Sequence, residues 1–324
     1  MSEANSSGSE FLLGLEEYLN FTNEPQLAKL IHSVAFTLQK DNTPLGFAKG
    51  FLNNLGSVID AIDLKDLQDL CFNFSKALDS VEFERDAISV YMSALEKKLP
   101  GDKIFRGINT IIKNDLESAQ VLNDAFSRSQ IKSKIWLIDE LDMVRKKLPD
   151  PVFKQVAVFA GWYGQIKSIY DKILTYRKMR VIEIDKSACE ISDYIFNLPQ
   201  LENHKVKSIL ANINELTLHK NGYEWTVENF KDGSKYDEKF LPDLIINTSA
   251  EHMTEDWFFQ IKFKEMESNP IVAIQSNNLF DISEHINCVY SVDHMKKKFP
   301  MKQVLYEGEL QLKGYKRVML IGRP

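Results

Sequence analysis

The strongest constraint on the fold is an alternation, from residue 154 onward, of short apolar runs with stretches of helical pattern. The apolar runs are VAVFA, VIEI, DLIIN and IVAIQS. Runs this short and this uniformly apolar are typical of strands that are buried on both faces, as in a parallel sheet covered by helices. Two further runs, at 303–312 and 315–323, are separated only by Lys313-Gly314 and predict an antiparallel hairpin at the end of the sheet.

The first half of the chain has a different period. Between residues 10 and 148, apolar residues recur at spacings of three and four, as in PQLAKLIHSVAFTLQK, and almost no strand-like run occurs. We predict a disordered tail at 1–9, an all-α helical bundle domain at 10–130, and an α/β domain at 131–324. The bundle could serve as a lid, a dimerisation surface or a docking module.

Composition excludes several classes of protein. The chain has 324 residues, 44% of them hydrophobic, and a formal net charge of -6, so it carries no overall basic excess typical of nucleic-acid binding. Its three cysteines, Cys71, Cys189 and Cys288, form no CxxC pair. No apolar run approaches the roughly 20 residues of a membrane span. We therefore expect a cytoplasmic protein with no nucleic-acid signature and no membrane partner.

The turn after the first run carries two glycines, Gly161 and Gly164, and Asp185 follows Gly161 by 24 residues. A strand, a glycine turn, a helix and a second strand ending in an acid form half of a Rossmann nucleotide site, in which the acid binds the ribose. Trp162 and Tyr163 stand where dinucleotide enzymes need a bare cradle for pyrophosphate, so a ligand without phosphate, such as S-adenosylmethionine (SAM), fits better. These two rings could stack on adenine or shield the methionine tail, or one could point into the core.

Over 133–324 the sequence resembles the class I SAM-dependent methyltransferases. The resemblance implies a Rossmann-like sheet with a terminal antiparallel hairpin, preceded here by the helical bundle. It also implies that Gly161 and Gly164 contact the methionine moiety of SAM and that Asp185 binds its ribose. The usual acid and the GxGxG form of the first motif are absent from VAVFAGWYG.

Three longer segments resemble the methyltransferase-like proteins of T4-type tailed bacteriophages. They are PDLIINTSAEHMTEDWFF, QSNNLFDISEHINCVYS and YEGELQLKGYKRVMLIGR. That family is poorly characterised, so the resemblance implies a fold, a cofactor and a host-cytoplasmic location, but no substrate.

Two Glu-His pairs follow the fourth and fifth strands of the predicted sheet: Glu251-His252 and Glu284-His285. An imidazole beside a carboxylate suits removal of a proton from a methyl acceptor. His252 is the first choice as general base, with Glu251 orienting it, because the resemblance implies that the loop after the fourth strand faces the transferred methyl. Asn247 is a candidate for a hydrogen bond to the cofactor or acceptor.

Other interpretations of the same pairs stay open. Each acid could cap a helix start beside Ser249 or Ser283. The two histidines and two carboxylates could instead bind a metal from opposite loops, but they have no spacing signature, so no metal site is predicted.

Three functions remain. The first is methyl transfer from SAM to an unidentified acceptor. The segment NTSAEHM lacks the Asn/Asp-Pro-Pro-aromatic tetrad of amino-methylating DNA enzymes, and no cysteine lies between Cys189 and Cys288 to act as a cytosine-C5 nucleophile. The second is aminocarboxypropyl transfer, because a bundle before a SAM-binding fold also resembles nicotianamine synthase. The third is a non-catalytic binding or structural protein on a degenerate methyltransferase fold.

Overall fold

The structure is a computed structural model that describes residues 4–25, 27–29, 32, 125–196, 205–228 and 233–324. The chain divides into two compact units, 1–132 and 133–324. Most of the helical bundle predicted for 10–130 lies outside the described residues, so that bundle stays a prediction. Within the described ranges, no helix combines the length and the apolar character needed to cross a membrane.

The described part of the first unit contains helix α1 (Ala4–Phe21) and the start of helix α2 (Arg128–Arg145). Glu17 on α1 accepts a hydrogen bond from Arg128 Nε at 2.8 Å and lies 3.2 Å from Lys132 Nζ. Gly14 packs directly on the backbone, since a Cβ there would lie 1.7 Å from Phe126 O.

The disordered tail at 1–9 stays a prediction, and in the structure helix α1 includes residues 4–9 of that segment. The segment contains no proline, and extending an existing helix is far less costly than nucleating one. The apolar turns at 11–19 can therefore propagate helix towards the N-terminus. Polar composition alone gave no sign of this.

The second unit is built on a seven-stranded sheet. Its strands are β1 (Gln155–Phe159), β2 (Lys178–Glu183), β3 (Val206–Leu210), β7 (Leu244–Asn247), β8 (Ile271–Asn277), β9 (Gln303–Gln311) and β10 (Lys316–Arg323). The order across the sheet is β3-β2-β1-β7-β8-β10-β9. The first five strands in that order are parallel, whereas β10 is antiparallel to both β8 and β9.

Burial explains why these residues form this sheet. Every residue of β7 and β8, and all but the first of β1 and β2, is buried. The helices of this unit are α3 (Gln165–Ile173), α4 (Lys186–Phe196), α5 (Asp256–Lys264) and α6 (Val292–Lys298). The predicted parallel α/β sheet is confirmed, and so is the hairpin at its end, in which β9 and β10 flank Gly314.

A second, three-stranded antiparallel sheet interrupts the main one between β3 and β7. It consists of β4 (Leu218–His219), β5 (Gly222–Glu228) and β6 (Lys235–Phe240). Glu238 on β6 accepts hydrogen bonds from Arg180 of β2 at 2.7 and 2.8 Å and from Trp225 Nε1 at 3.1 Å. Because Arg180 is fully buried and Glu238 nearly so, this ion pair joins the small sheet to the main sheet.

The Glu238 pair predicts a pH dependence of stability. Burial raises the pKa of Glu238, but the hydrogen bonds from Arg180 and Lys178 outweigh it and lower the pKa to about 2. A folded pKa below the ordinary 4.5 contributes stability that is present above pH 4.5 and is lost as the pH falls towards 2. At neutral pH, Glu238→Gln should cost about 3 to 5 kcal/mol of unfolding free energy, because it removes the carboxylate charge from the buried ion pair with Arg180.

Urea unfolding of wild type and Glu238→Gln at a series of pH values measures this loss of unfolding free energy. The difference between wild type and Glu238→Gln should narrow as the pH falls through the acidic range. Glu224→Gln is the matched control, because Glu224 makes an exposed pair with Lys239 at 3.8 Å on the same small sheet. That control should change stability by less than about 1 kcal/mol. A Glu238→Gln difference that stayed constant with pH would contradict the prediction.

Candidate active site

The sheet has one point at which its strand order reverses. From β1 the chain moves to β2 and β3 on one side, and later returns to β7 and β8 on the other. In open α/β sheets, ligands bind at the carboxyl ends of the strands beside such a switch point. The candidate site is therefore the edge formed by the residues that follow β1, β2, β7 and β8.

The turn after β1 has an unusual backbone. Ala160 and Trp162 both have φ of 48°, and Gly164, which immediately precedes α3, has φ of 67°. A non-glycine residue in this left-handed region costs about 1 kcal/mol or more, and such strain concentrates at functional sites. Gly161 is needed for a different reason, since a Cβ there would lie 2.3 Å from Val181 Cγ1 on β2.

The two aromatic residues of this turn have different environments. Tyr163 is buried, with only 4% of its surface exposed, whereas Trp162 is half-buried. Their rings are stacked with centroids 5.2 Å apart. Tyr163 therefore belongs to the core, and Trp162 is the ring that a ligand at this edge can contact.

Sequence reasoning missed Glu183, the last residue of β2. One of its oxygens, Oε2, accepts a hydrogen bond from the Trp162 backbone N–H at 2.9 Å, and Oε1 accepts from those of Ile184 and Asp185 at 2.8 and 3.1 Å. Glu183 thus supplies, from β2, an acid beside a turn whose own motif lacks one. The available signal was an acid inside an apolar strand, which requires polar partners when buried.

Asp185, the predicted ribose-binding acid, is exposed just beyond β2. Its Oδ1 accepts hydrogen bonds from the backbone N–H groups of Ser187 and Ala188 at 2.8 and 3.3 Å, so it caps the start of α4. In the described residues Oδ2 makes no hydrogen bond. One carboxylate oxygen is therefore structural, and the other is available to a ligand.

Asn247 ends β7 and is fully buried. Its Oδ1 accepts from the Ser249 N–H at 3.0 Å, and its Nδ2 lies 3.1 Å from Met253 Sδ. The amide of Asn247 therefore shapes the loop after β7. The structure does not present it at the surface of the candidate site.

Glu251 is the most constrained side chain of the site. It lies in a short 3₁₀ turn, Ala250–His252, and only 2% of its surface is exposed. Its Oε1 accepts hydrogen bonds from Arg317 Nη1 at 2.6 Å and Asn277 Nδ2 at 2.8 Å. Its Oε2 is buried, with no hydrogen-bond partner among the described residues. The helix-capping interpretation of Glu251 is therefore wrong, because this carboxylate is an internal ion-pair partner.

The two histidines, predicted separately, lie side by side. The rings of His252 and His285 have centroids 4.6 Å apart in an edge-to-face arrangement. His252 is exposed, and His285 Nδ1 lies 3.2 Å from the carbonyl oxygen of Leu279. Burial lowers the pKa of His285, although Glu251 opposes the shift.

The structure thus brings together one member of the second Glu-His pair and both members of the first. The candidate ligand atoms of Glu251, His252 and His285 all lie within 4.8 Å of one another. In the described chain no hydrogen bond joins Glu251 to His252, so Glu251 does not orient that imidazole directly. Glu284 is exposed in a loop where no helix begins, so it caps no helix either.

The loop after β8, which carries His285, also carries exposed apolar side chains. These are Phe280, Ile282, Ile286 and Tyr290. Phe280 stacks on Tyr290 with centroids 4.1 Å apart, and Tyr290 stacks on His294 at 5.4 Å. The rim of the site on this side is aromatic rather than basic.

Comparison with known protein families and with curated protein sequences found no match to the chain. Similar structures include the N-methyltransferase NodS from Bradyrhizobium japonicum WM9, at 7% identity and a TM-score of 0.39, covering 60% of this chain and 96% of that one. A SAM-dependent methyltransferase from Leishmania major matches at 18% identity and a TM-score of 0.42, covering 71% and 90%.

A third similar structure is a geranyl diphosphate methyltransferase in complex with GPP and sinefungin. It matches at 11% identity and a TM-score of 0.42, covering 63% of this chain and 81% of that one. Similarity this low identifies neither the activity nor the site residues of this chain.

The close approach of the β1 turn to β2 predicts the effect of enlarging Gly161. In Gly161→Ala the new methyl would lie 2.3 Å from Val181 Cγ1 and 3.1 Å from Val158 Cγ1. Overpacking of this kind costs about 1 to 3 kcal/mol of unfolding free energy, which chemical denaturation measures. Adding Val181→Ala removes one clashing methyl, so the double variant should be more stable than the sum of the single effects predicts. Strictly additive effects would contradict a direct clash.

Proposed function

We propose that this chain is a SAM-dependent methyltransferase of the phage type that its motifs resemble. The observation that carries the proposal is the topology of the sheet. It has five parallel strands whose order reverses beside β1, followed at one edge by the antiparallel strands β10 and β9. Supporting it are a strained turn after β1 and an exposed acid after β2, both at the switch point where such sheets bind ligands.

The cofactor side of the site is formed by the turn after β1 and by Asp185. The uncommitted Oδ2 of Asp185 can accept a hydrogen bond from a ribose hydroxyl, and half-buried Trp162 offers a face for the adenine. Gly161 and Gly164 let the turn lie close to the methionine portion of the cofactor. The first turn of α3 adds backbone N–H groups suited to the amino-acid carboxylate.

The acceptor side is formed by the loops after β7 and β8. When bound, SAM supplies an electrophilic methyl group on a sulfonium. His252 is exposed, and an imidazole can accept the proton that the acceptor loses near neutral pH. Glu251 holds the loop in place through Arg317 and Asn277. Asn247 supports the same loop from its interior.

A second candidate function is a non-catalytic binding protein on the same fold. One observation favours it: Glu183 already accepts hydrogen bonds from three backbone N–H groups at the carboxyl ends of β1 and β2. A cofactor would have to bind beside the Glu183 carboxylate without hydrogen bonds from these three N–H groups, because they already donate to Glu183. SAM binding distinguishes the two candidates.

Calorimetric titration of the full chain with SAM and with S-adenosylhomocysteine tests the proposal. We expect micromolar binding of both by wild type. Asp185→Ser keeps a side-chain oxygen that can cap α4 but removes the carboxylate, whereas Asp185→Ala removes both. Both variants should bind SAM about tenfold or more weakly, because a hydrogen bond to a charged group is lost. Only Asp185→Ala should also lose about 1 kcal/mol of unfolding free energy.

His252→Ala is the matched control, since it lies on the acceptor side and should leave SAM affinity unchanged. No binding by wild type at millimolar SAM would favour the non-catalytic candidate. Normal SAM affinity in Asp185→Ser would show that the ribose is held elsewhere.

A further inference from the structure

We propose that Glu251, His252 and His285 form a binding site for a divalent first-row transition metal ion. The three residues come from the loops after β7 and β8, at the carboxyl edge of the sheet. Their candidate ligand atoms all lie within 4.8 Å of one another. The proposal goes beyond methyl transfer and does not require that the chain bind SAM.

The donor set has the chemistry of such a site. Two imidazoles and one carboxylate, with further positions open, are a donor set used for iron and zinc. In a tetrahedral site, ligand atoms about 2.1 Å from the ion lie roughly 3.4 Å apart. The cluster must therefore contract by roughly 1 Å to hold an ion, and the exposed side chain of His252 can supply that movement.

The surroundings of His285 prepare it as a ligand. A carbonyl oxygen can only accept, so the contact between Leu279 O and Nδ1 at 3.2 Å requires the proton to be on Nδ1. Nε2 then carries the free lone pair. A metal-binding histidine almost always donates its other N–H to a carbonyl or carboxylate in this way.

The surroundings of Glu251 divide its two oxygens between separate roles. Oε1 is held by Arg317 at 2.6 Å and by Asn277 at 2.8 Å, which fixes the orientation of the carboxylate. Oε2 is buried and has no partner in the described part of the chain. An orphaned buried oxygen costs about 1 to 3 kcal/mol or more, and an ion at this position would satisfy it.

The charge around the cluster also suits a cation. Arg317 offsets part of the charge of Glu251 through their ion pair, and Glu284 adds an exposed carboxylate within electrostatic reach of both histidines. Three protein ligands leave coordination positions open, as in catalytic rather than structural metal sites. If the proposed methyl transfer is correct, an acceptor oxygen bound to the metal would lose its proton more easily, and His252 would act as a ligand rather than as a free base.

The test is titration of the full chain, stripped with a chelator and free of SAM, with Zn²⁺ by calorimetry and Co²⁺ by visible absorption. We expect one equivalent of Zn²⁺ per chain and Co²⁺ bands typical of nitrogen and oxygen ligands. His252→Ala and His285→Ala should each weaken Zn²⁺ binding by about tenfold or more, in line with the loss of a ligand. The control is His219→Ala, which removes an exposed histidine on β4.

Glu251→Gln should weaken binding as well, and its thermal melt is needed because the change also breaks the pair with Arg317. The histidine variants keep the proposal testable if Glu251→Gln does not fold. Equal Zn²⁺ affinity in wild type, His285→Ala and His219→Ala, or no stoichiometric binding by wild type, would overturn the proposal. Because SAM is absent from these titrations, they test metal binding alone. The proposed methyl transfer is tested separately by the titration with SAM.

Discussion

The candidate site depends on one buried ion pair, that of Glu251 with Arg317. It joins the loop after β7 to the start of β10, and Asn277 at the end of β8 completes it. Both charged side chains are almost fully buried, so removing either one would break a buried ion pair in the interior. The loop that carries His252 is consequently anchored to two other strands, and the histidine cluster is built on a rigid base.

A second buried pair, between Arg180 and Glu238, has a comparable role away from the site. It joins the small antiparallel sheet to β2. In both cases an arginine inside a strand of the main sheet determines where an inserted or looping segment must lie. Buried arginines of the main sheet therefore hold in place the segments that are attached to the sheet.

The parts of this structure that could be predicted are those governed by local pattern. Strands β1, β2, β7 and β8 each contain a short apolar run because both faces of the sheet are covered, and the final hairpin is marked by its short turn. The small sheet was not predicted, because its alternating residues are partly exposed and its partner surface lies elsewhere in the sequence. Arg317 was not predicted as a site residue, since its partner Glu251 is 66 residues away.

The same contrast applies within the turn after β1. The glycine spacing and Asp185 were visible in the sequence, but the contact of Glu183 with the turn depends on the register between parallel strands. This contact gives the site a selectivity for ligand charge. The Glu183 carboxylate accepts the Trp162 N–H, a backbone group of the kind that a Rossmann turn otherwise offers to a pyrophosphate. Phosphorylated nucleotides would be repelled by this carboxylate, whereas a ligand with a sulfonium or ammonium group would be attracted to it, so this edge of the sheet would discriminate between ligands by their charge.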